Sequence, residues 1–345
     1  MIDMIKRSLS ISFLSIFIPL SLFAKTVTAP EWISNKNAVF PSETYISGIG
    51  EGKSKEAARN DAIAEVSRYL KTSVETTVQA KANADSINGK SNFSQRLEES
   101  TTISSTATLS GLNFSEPYHD KKEKCWYCVA YIKRDDAWNL LLPRIESAKA
   151  AFYALYDNGR KETEPVFKYS FFAAALEKGV DFQDVLDYAR IIHPKNEEGY
   201  LSDREAINSV QNLLITEKGK CTLFLALQGD YGNILTEAAT KIFSETPFSL
   251  VGSEKSANYK ATVTVDDNKV GDNPLSILPS AKIEIKSKSG RSVYADVFRL
   301  ETKTTAYSLE KAQKKAYPQL ADVMKQELPE KLAELFNKNG KQGGL

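Results

Sequence analysis

The sequence predicts an α+β protein in three parts. An extended run closing in glycines, YISGIGEG at 45–52, leads straight into an Ala-rich segment with helical spacing. A central stretch has apolar residues three and four apart almost throughout. The last third alternates apolar and polar residues in short runs before a final helical pattern. These signals place an N-terminal α+β domain at 30–139, a helix packed on a small sheet. A central helical region follows at 140–216 and a C-terminal α+β domain at 219–339, with a polar tail at 340–345 expected to be disordered. A chain of 345 residues is long enough for two or three domains with their own cores.

Residues 1–24 read as a signal peptide. Lys6 and Arg7 give the positive start, 8–24 is an uncharged apolar run broken by Pro19, and Ala24 offers a small residue for cleavage. The run falls short of the roughly 20 apolar residues of a spanning helix, and an uncleaved N-terminal anchor is the alternative reading. The mature protein is therefore expected to lack an integral span and to be periplasmic or secreted, with an association with the outer membrane left open. No Cys stands in or just after the run, so a lipid-modified N-terminal Cys is not expected. Loss of Asp3, Lys6 and Arg7 leaves the mature chain neutral, which argues against nucleic acid or an anionic membrane as a bulk partner.

In the first part, 44–49 is a strand, and Ser54 is placed to cap a helix with Ala58, Ala62, Val66 and Tyr69 on one face. The Thr- and Val-rich 71–80 reads as a second strand, 83–96 is polar and weakly patterned, and 101–114 reads as extended. The clearest strand is 126–132. In the central part Asp135 is placed to cap a helix through Trp138, Leu141 and Ile145, with Pro143 kinking it or moving its start. Two further helices, 166–176 and 182–192, are expected on either side of Lys178-Gly179, and a fourth at 203–214. In the last part, strands are expected at 221–227, 248–251, 259–266, 282–286 and 292–301, with a helix at 231–243 and a turn at Ser289-Gly290. Ser308 opens a terminal helix that Pro318 would kink and Pro329 would restart.

Motifs that carry chemistry are scarce. Gly48, Gly50 and Gly52 form a structural turn between strand and helix, the place where many proteins cradle phosphate. Their G-x-G-x-G spacing misses the G-x-G-x-x-G of dinucleotide sites, and no Gly-Lys-Ser/Thr follows. Positive φ and close helix-to-strand packing are the simpler use for them. Cys125 and Cys128 either close a disulfide clip or stand unpaired on a strand, and Cys221 is left single. His119 falls in a polar loop and His193 at a helix end, neither at a zinc-ligand spacing. Asp266, Asp267 and Asp272 lack the ligand order of a calcium loop. Trp126, Tyr127, Tyr131 and Trp138 read as core aromatics. No catalytic residue, metal site or cofactor is expected.

Taken together, Pro30-Glu31-Trp32, the run Tyr45 to Gly50, Ala57, Ala58, Ala62, Val66 and Val74, and the closing Trp126-Tyr127-Cys128-Val129 with Lys133-Arg134 carry a family pattern. It resembles the LPP-twenty lipoprotein family, of the FlgP and FlgT N-terminal-domain type, over about a third of the chain. The resemblance implies a small α+β domain at the periplasmic face of the envelope. It also implies a non-enzymatic role by protein–protein contact in an envelope structure, with flagellar basal-body components among the candidate partners and homo-oligomers among the candidate states. The alternative is a periplasmic binding protein for a small ligand, peptide or glycan, held in a groove between the helical and α+β regions. A hydrolase ranks third, for want of a convergent polar set.

Overall fold

The computed structural model describes residues 28–84 and 111–337. The expected signal peptide, the polar stretch beyond residue 84, residues 101–110 of the expected extended run and the tail at 340–345 lie outside the described residues. The protein is α+β, with a small N-terminal sheet, a central bundle and a C-terminal unit of two sheets.

The N-terminal sheet is built around β4 (Cys125–Lys133). β1 (Tyr45–Gly52) runs antiparallel along its whole length, from Tyr45 opposite Lys133 to Gly52 opposite Trp126. The short strands β2 (Asn113–Phe114) and β3 (Tyr118–Asp120) pair on its other side. Strand alternation sorts the side chains. Ile46, Ala130 and Ile132 meet the helix layer, while Val129 packs with Trp32 and Phe40 from two one-turn helices, α1 (Glu31–Ser34) and α2 (Lys36–Val39). The free edge of β1 is occupied by side chains of its own unit. Lys36 Nζ donates to the Ser47 carbonyl at 2.9 Å, and the Glu51 amide donates to Asp61 Oδ2 at 3.0 Å.

Helix α3 (Lys55–Ala84) starts where expected, with Ser54 Oγ accepting the Ala57 amide at 3.1 Å. It then runs straight through 71–80, correcting the strand expected there. Ala58, Ala62, Val66, Leu70 and Val74 are all buried at steps of four, so one stripe continues into the Thr-rich segment. Leu70 takes the place expected for Tyr69, which is exposed. The hydroxyls of Ser73, Thr76 and Thr77 donate to carbonyls four residues back, at 2.8, 2.8 and 2.9 Å, and so fit a helix. Burial against the sheet outweighs the intrinsic strand preference of Thr and Val.

Strand β4 passes into α4 (Arg134–Lys161) with no linker. Lys133 is the N-cap residue and makes no side-chain cap, and Asp135 lies inside the first turn rather than capping it. The helix continues through Pro143. The two helices expected at 166–176 and 182–192 are a single helix, α5 (Pro165–Ile192). Gly179 is not a break. A Cβ there would stand 3.2 Å from Ile207 Cγ2 and 3.3 Å from Phe152 Cε2, so glycine lets three helices meet. The short α6 (Pro194–Glu197) leads to α7 (Leu201–Lys220). One apolar core runs from Ile46, Val66 and Ile132 through Ile145, Phe152 and Phe182 to Val210, so sheet and bundle share an interior.

The C-terminal unit has a five-stranded sheet in the order β11-β10-β7-β5-β6. Its strands are β5 (Thr222–Gln228), β6 (Ser249–Leu250), β7 (Tyr259–Asp266), β10 (Ser280–Ser287) and β11 (Ser292–Arg299). β5 pairs in parallel with β6 and β7, and the others are antiparallel. A second sheet joins β8 (Lys269–Asp272), β9 (Leu275–Ile277) and β12 (Thr304–Ala306). Helices α8 (Ile234–Ser244) and α9 (Leu309–Asn337) pack into the same core. α8 begins later than expected because Asp230 takes the amides of Leu235 and Thr236 while Asn233 is left-handed at φ 59°. α9 runs through Pro318 and Pro329 without the expected restart.

Residues 162–166, the link from α4 into the first turn of α5, lock the bundle to this unit. Buried Glu164 accepts from Tyr259 Oη at 3.3 Å and from the hydroxyls of Ser287 and Ser289, each at 3.1 Å. The Val166 amide donates to Tyr259 Oη at 3.1 Å, and its side chain enters the C-terminal core.

The contact of β1 with α3 is the tightest in the N-terminal unit. A Cβ on Gly50 would lie 2.1 Å from the Ala62 nitrogen and 2.2 Å from the Ala58 oxygen. Gly50→Ala is therefore expected to cost about 3 kcal/mol in urea unfolding, by forcing strand and helix apart. Gly199→Ala, with open space around it, is the control and should stay within about 0.5 kcal/mol.

Candidate functional site

Gly48, Gly50 and Gly52 lie inside β1, and the turn to α3 is Lys53-Ser54. Among the described residues, positive φ in glycine is confined to Gly229, Gly232 and Gly290, so the positive φ expected at Gly48, Gly50 and Gly52 is corrected. Their use is close approach. A Cβ on Gly48 would meet Glu65 Cβ at 2.6 Å, and one on Gly52 would meet Ala57 Cβ at 2.6 Å. The helix lies where a phosphate would have to sit, and the Glu51 amide is already held by Asp61.

Cys125, Cys128 and Cys221 are free thiols. Three residues apart on one strand, Cys125 and Cys128 face opposite sides of the sheet, so the unpaired arrangement is the one observed and the clip is not. Cys125 Sγ lies 3.4 Å from the Gly52 carbonyl, and Cys128 Sγ lies 3.6 Å from that of Ser115. Burial, then the nearby Glu217 carboxylate, pushes the Cys221 thiol up to about 12.

His119 lies on β3 rather than in a loop, its ring 4.6 Å from that of Trp126. His193 closes α5 and opens α6. Its Nε2 is 3.0 Å from Asp135 Oδ1, and its Nδ1 accepts the Asn196 amide at 3.3 Å. Asp267 accepts from Gln313 and Tyr317 of α9, and Asp266 from the Asn268 amide. Among the described residues no three His, Cys, Asp or Glu side chains converge on a metal-sized point. Tyr131 packs on Phe40 and Tyr45 beside Val129, and Trp138 is buried in the shared core.

The structure instead brings together a groove of about 600 Å³ between α3 and the C-terminal end of α5. Arg68, Tyr69, Thr72 and Thr76 line it from α3, and Arg134 and Arg190 from the opposite wall. Arg134 is only 7 % exposed. Its Nε donates to the Ser42 carbonyl at 2.8 Å, and its Nη1 donates to those of Ile191 and Ile192 at 2.7 and 2.6 Å. The last two belong to the final turn of α5, the negative end of the helix dipole. Arg190 donates through Nε to Glu197 at 3.1 Å, and Arg68 pairs with Glu65. Glu197 is fully buried and also holds Arg204, which in turn meets Asp187 at 2.8 Å.

The sequence reading missed this groove because it placed a strand over most of one wall. The usable signal was Arg68, Thr72 and Thr76, spaced by four and therefore on one helix face. Arg134 carried no local signal, because its partners lie far along the chain at Ser42, Ile191 and Ile192.

Native protein treated with a disulfide thiol reagent is expected to react at half-exposed Cys125, with buried Cys128 and Cys221 reacting only after denaturant is added. Rapid labelling of Cys221 at pH 8 would contradict its raised pKa. Arg134→Met strips three carbonyls of their donor. It should cost about 3 kcal/mol in chemical denaturation, whereas Arg68→Met at an exposed pair should cost under about 1 kcal/mol.

Residues 30–118 match the family model described as LPP20 lipoprotein. No curated protein matches the chain. Among solved structures, the secreted protein HP1454 from Helicobacter pylori is 12 % identical, with 87 % of this chain and 98 % of that one covered at a TM-score of 0.25. Protein XCC0632 from Xanthomonas campestris is also 12 % identical, over 35 % of this chain and 86 % of that one, at a TM-score of 0.22. Scores at that level establish no shared fold. The N-terminal α+β unit, over residues 30–118, thus matches the LPP20 lipoprotein family, the family that its glycine-bearing strand and Ala-rich helix resemble.

Proposed function

We propose that this is a non-enzymatic, envelope-associated protein that acts by contact with other envelope proteins in assembling an envelope structure. The observation that carries the reading is the LPP20 lipoprotein match over 30–118. The build of the molecule supports it. The matched unit shares one core with the bundle, and Glu164 ties the bundle to the C-terminal unit, so the three parts form a continuous scaffold. Among the described residues no helix is long and apolar enough to cross a membrane. Flagellar basal-body components and further copies of the chain are the partners this reading names first.

The test is light scattering on the purified mature protein together with crosslinking in intact cells. Assembly above the monomer mass, or crosslinks from the 30–133 surface to an identified envelope protein, is expected. A strict monomer with no envelope crosslink overturns the proposal.

A further inference from the structure

The groove between α3 and the end of α5 holds an electrostatic imbalance that the fold leaves unresolved. Arg134 is a nearly buried cation whose protein partners are backbone carbonyls, with no carboxylate among them. Carbonyl dipoles at a helix end offset part of a buried charge, and the remainder favours an anion within reach. Its Nε and Nη1 are used, while Nη2 has no partner among the described residues, and the side chain lines the groove. Arg190 is held through Nε alone and is 58 % exposed at its side chain, so its two terminal nitrogens also remain to donate. With Arg68, three guanidinium groups line the groove against one carboxylate, that of Glu65. Guanidinium presents paired planar donors, the geometry that a carboxylate accepts.

The α3 wall adds a second chemistry. The hydroxyls of Ser73, Thr76 and Thr77 give their protons to the carbonyls of Tyr69, Thr72 and Ser73, leaving their oxygens to accept, and all three line the groove. Tyr69 stands beside them with 47 % of its surface exposed. A row of hydroxyl acceptors next to an open aromatic ring suits a polyhydroxylated ring, which donates to the first and stacks on the second.

We propose that this groove binds a carboxylate-bearing sugar, with the carboxylate among the guanidinium groups of Arg68, Arg134 and Arg190 and the sugar ring against Tyr69 and the hydroxyl row of α3. A neutral sugar would leave the guanidinium donors unmatched. An acidic peptide would satisfy them but has no ring to stack on Tyr69. The site is independent of the envelope-contact role, since neither requires the other.

Calorimetric titration of the full mature protein with trigalacturonic acid tests this, with maltotriose and a triglutamate peptide as the matched neutral and peptide probes. Trigalacturonic acid should bind, and bind less tightly as salt is raised. Maltotriose and triglutamate should each be at least about tenfold weaker. Arg68→Gln and Tyr69→Ala, both at exposed positions and each checked for an unchanged Tm, should weaken the acidic sugar by about tenfold and about fivefold. Side-chain nitrogen NMR should show the Arg134 guanidinium signal shifting with saturation. Absence of binding by trigalacturonic acid overturns the proposal. So does equal or tighter binding of either control probe, indifference to both substitutions, or an unmoved Arg134 signal.

Discussion

Arg134 stands where strand β4 turns into helix α4 with no intervening loop, and its guanidinium reaches both the Ser42 segment before β1 and the last turn of α5. A strand that becomes a helix at a fixed angle needs a group that holds the corner. A planar cation donating to three carbonyls does this with little freedom left. The negative end of the α5 dipole helps keep that cation charged away from bulk water. The direction of α4, the position of α5 beside it and the width of the groove between α3 and α5 all follow from this corner.

Around it, buried polar groups fix the arrangement of a bundle that apolar packing holds together. Glu197, with no exposed surface, is held between Arg190 and Arg204, and Asp203 accepts from Lys149 at 2.9 Å and Tyr153 at 2.8 Å. Burial, then the bond to Asp203, raises the Tyr153 pKa, which keeps that hydroxyl a donor at any physiological pH. Such pairs contribute little net stability relative to apolar packing, but each disfavours alternative helix registers that would strand a buried charge. The Glu164 lock works in the same way between bundle and C-terminal unit.

Much of the fold was legible in the residues. The strands expected at 44–49 and 126–132, the Ser54 cap, the α+β class and the hairpin at Ser289-Gly290 all rest on local patterns of two or four residues, and the observed strands run on to Gly52 and Lys133. Where the reading departed from the structure, the local signal pointed one way and burial the other. Thr72, Thr76 and Thr77 favour a strand, yet Leu70 and Val74 continue a helix stripe that the sheet covers. Lys178-Gly179, Pro318 and Pro329 look like breaks, but neighbouring elements hold each helix continuous. The groove was hidden for the same reason, because one of its walls exists only if 71–80 is helical.

By itself, the sequence determined the periodic elements, the family resemblance of the first third and the absence of recognised catalytic or metal-binding motifs, because those depend on residue type and short spacing. The glycines of β1 show the boundary. Their spacing marked a junction of strand and helix. Only the tertiary structure decided that they are there to let Ala58 and Ala62 approach the strand backbone, rather than to turn the chain or to hold a phosphate. It alone decided that Arg68, Arg134 and Arg190 face one groove, since their positions depend on contacts between residues more than fifty apart in the chain.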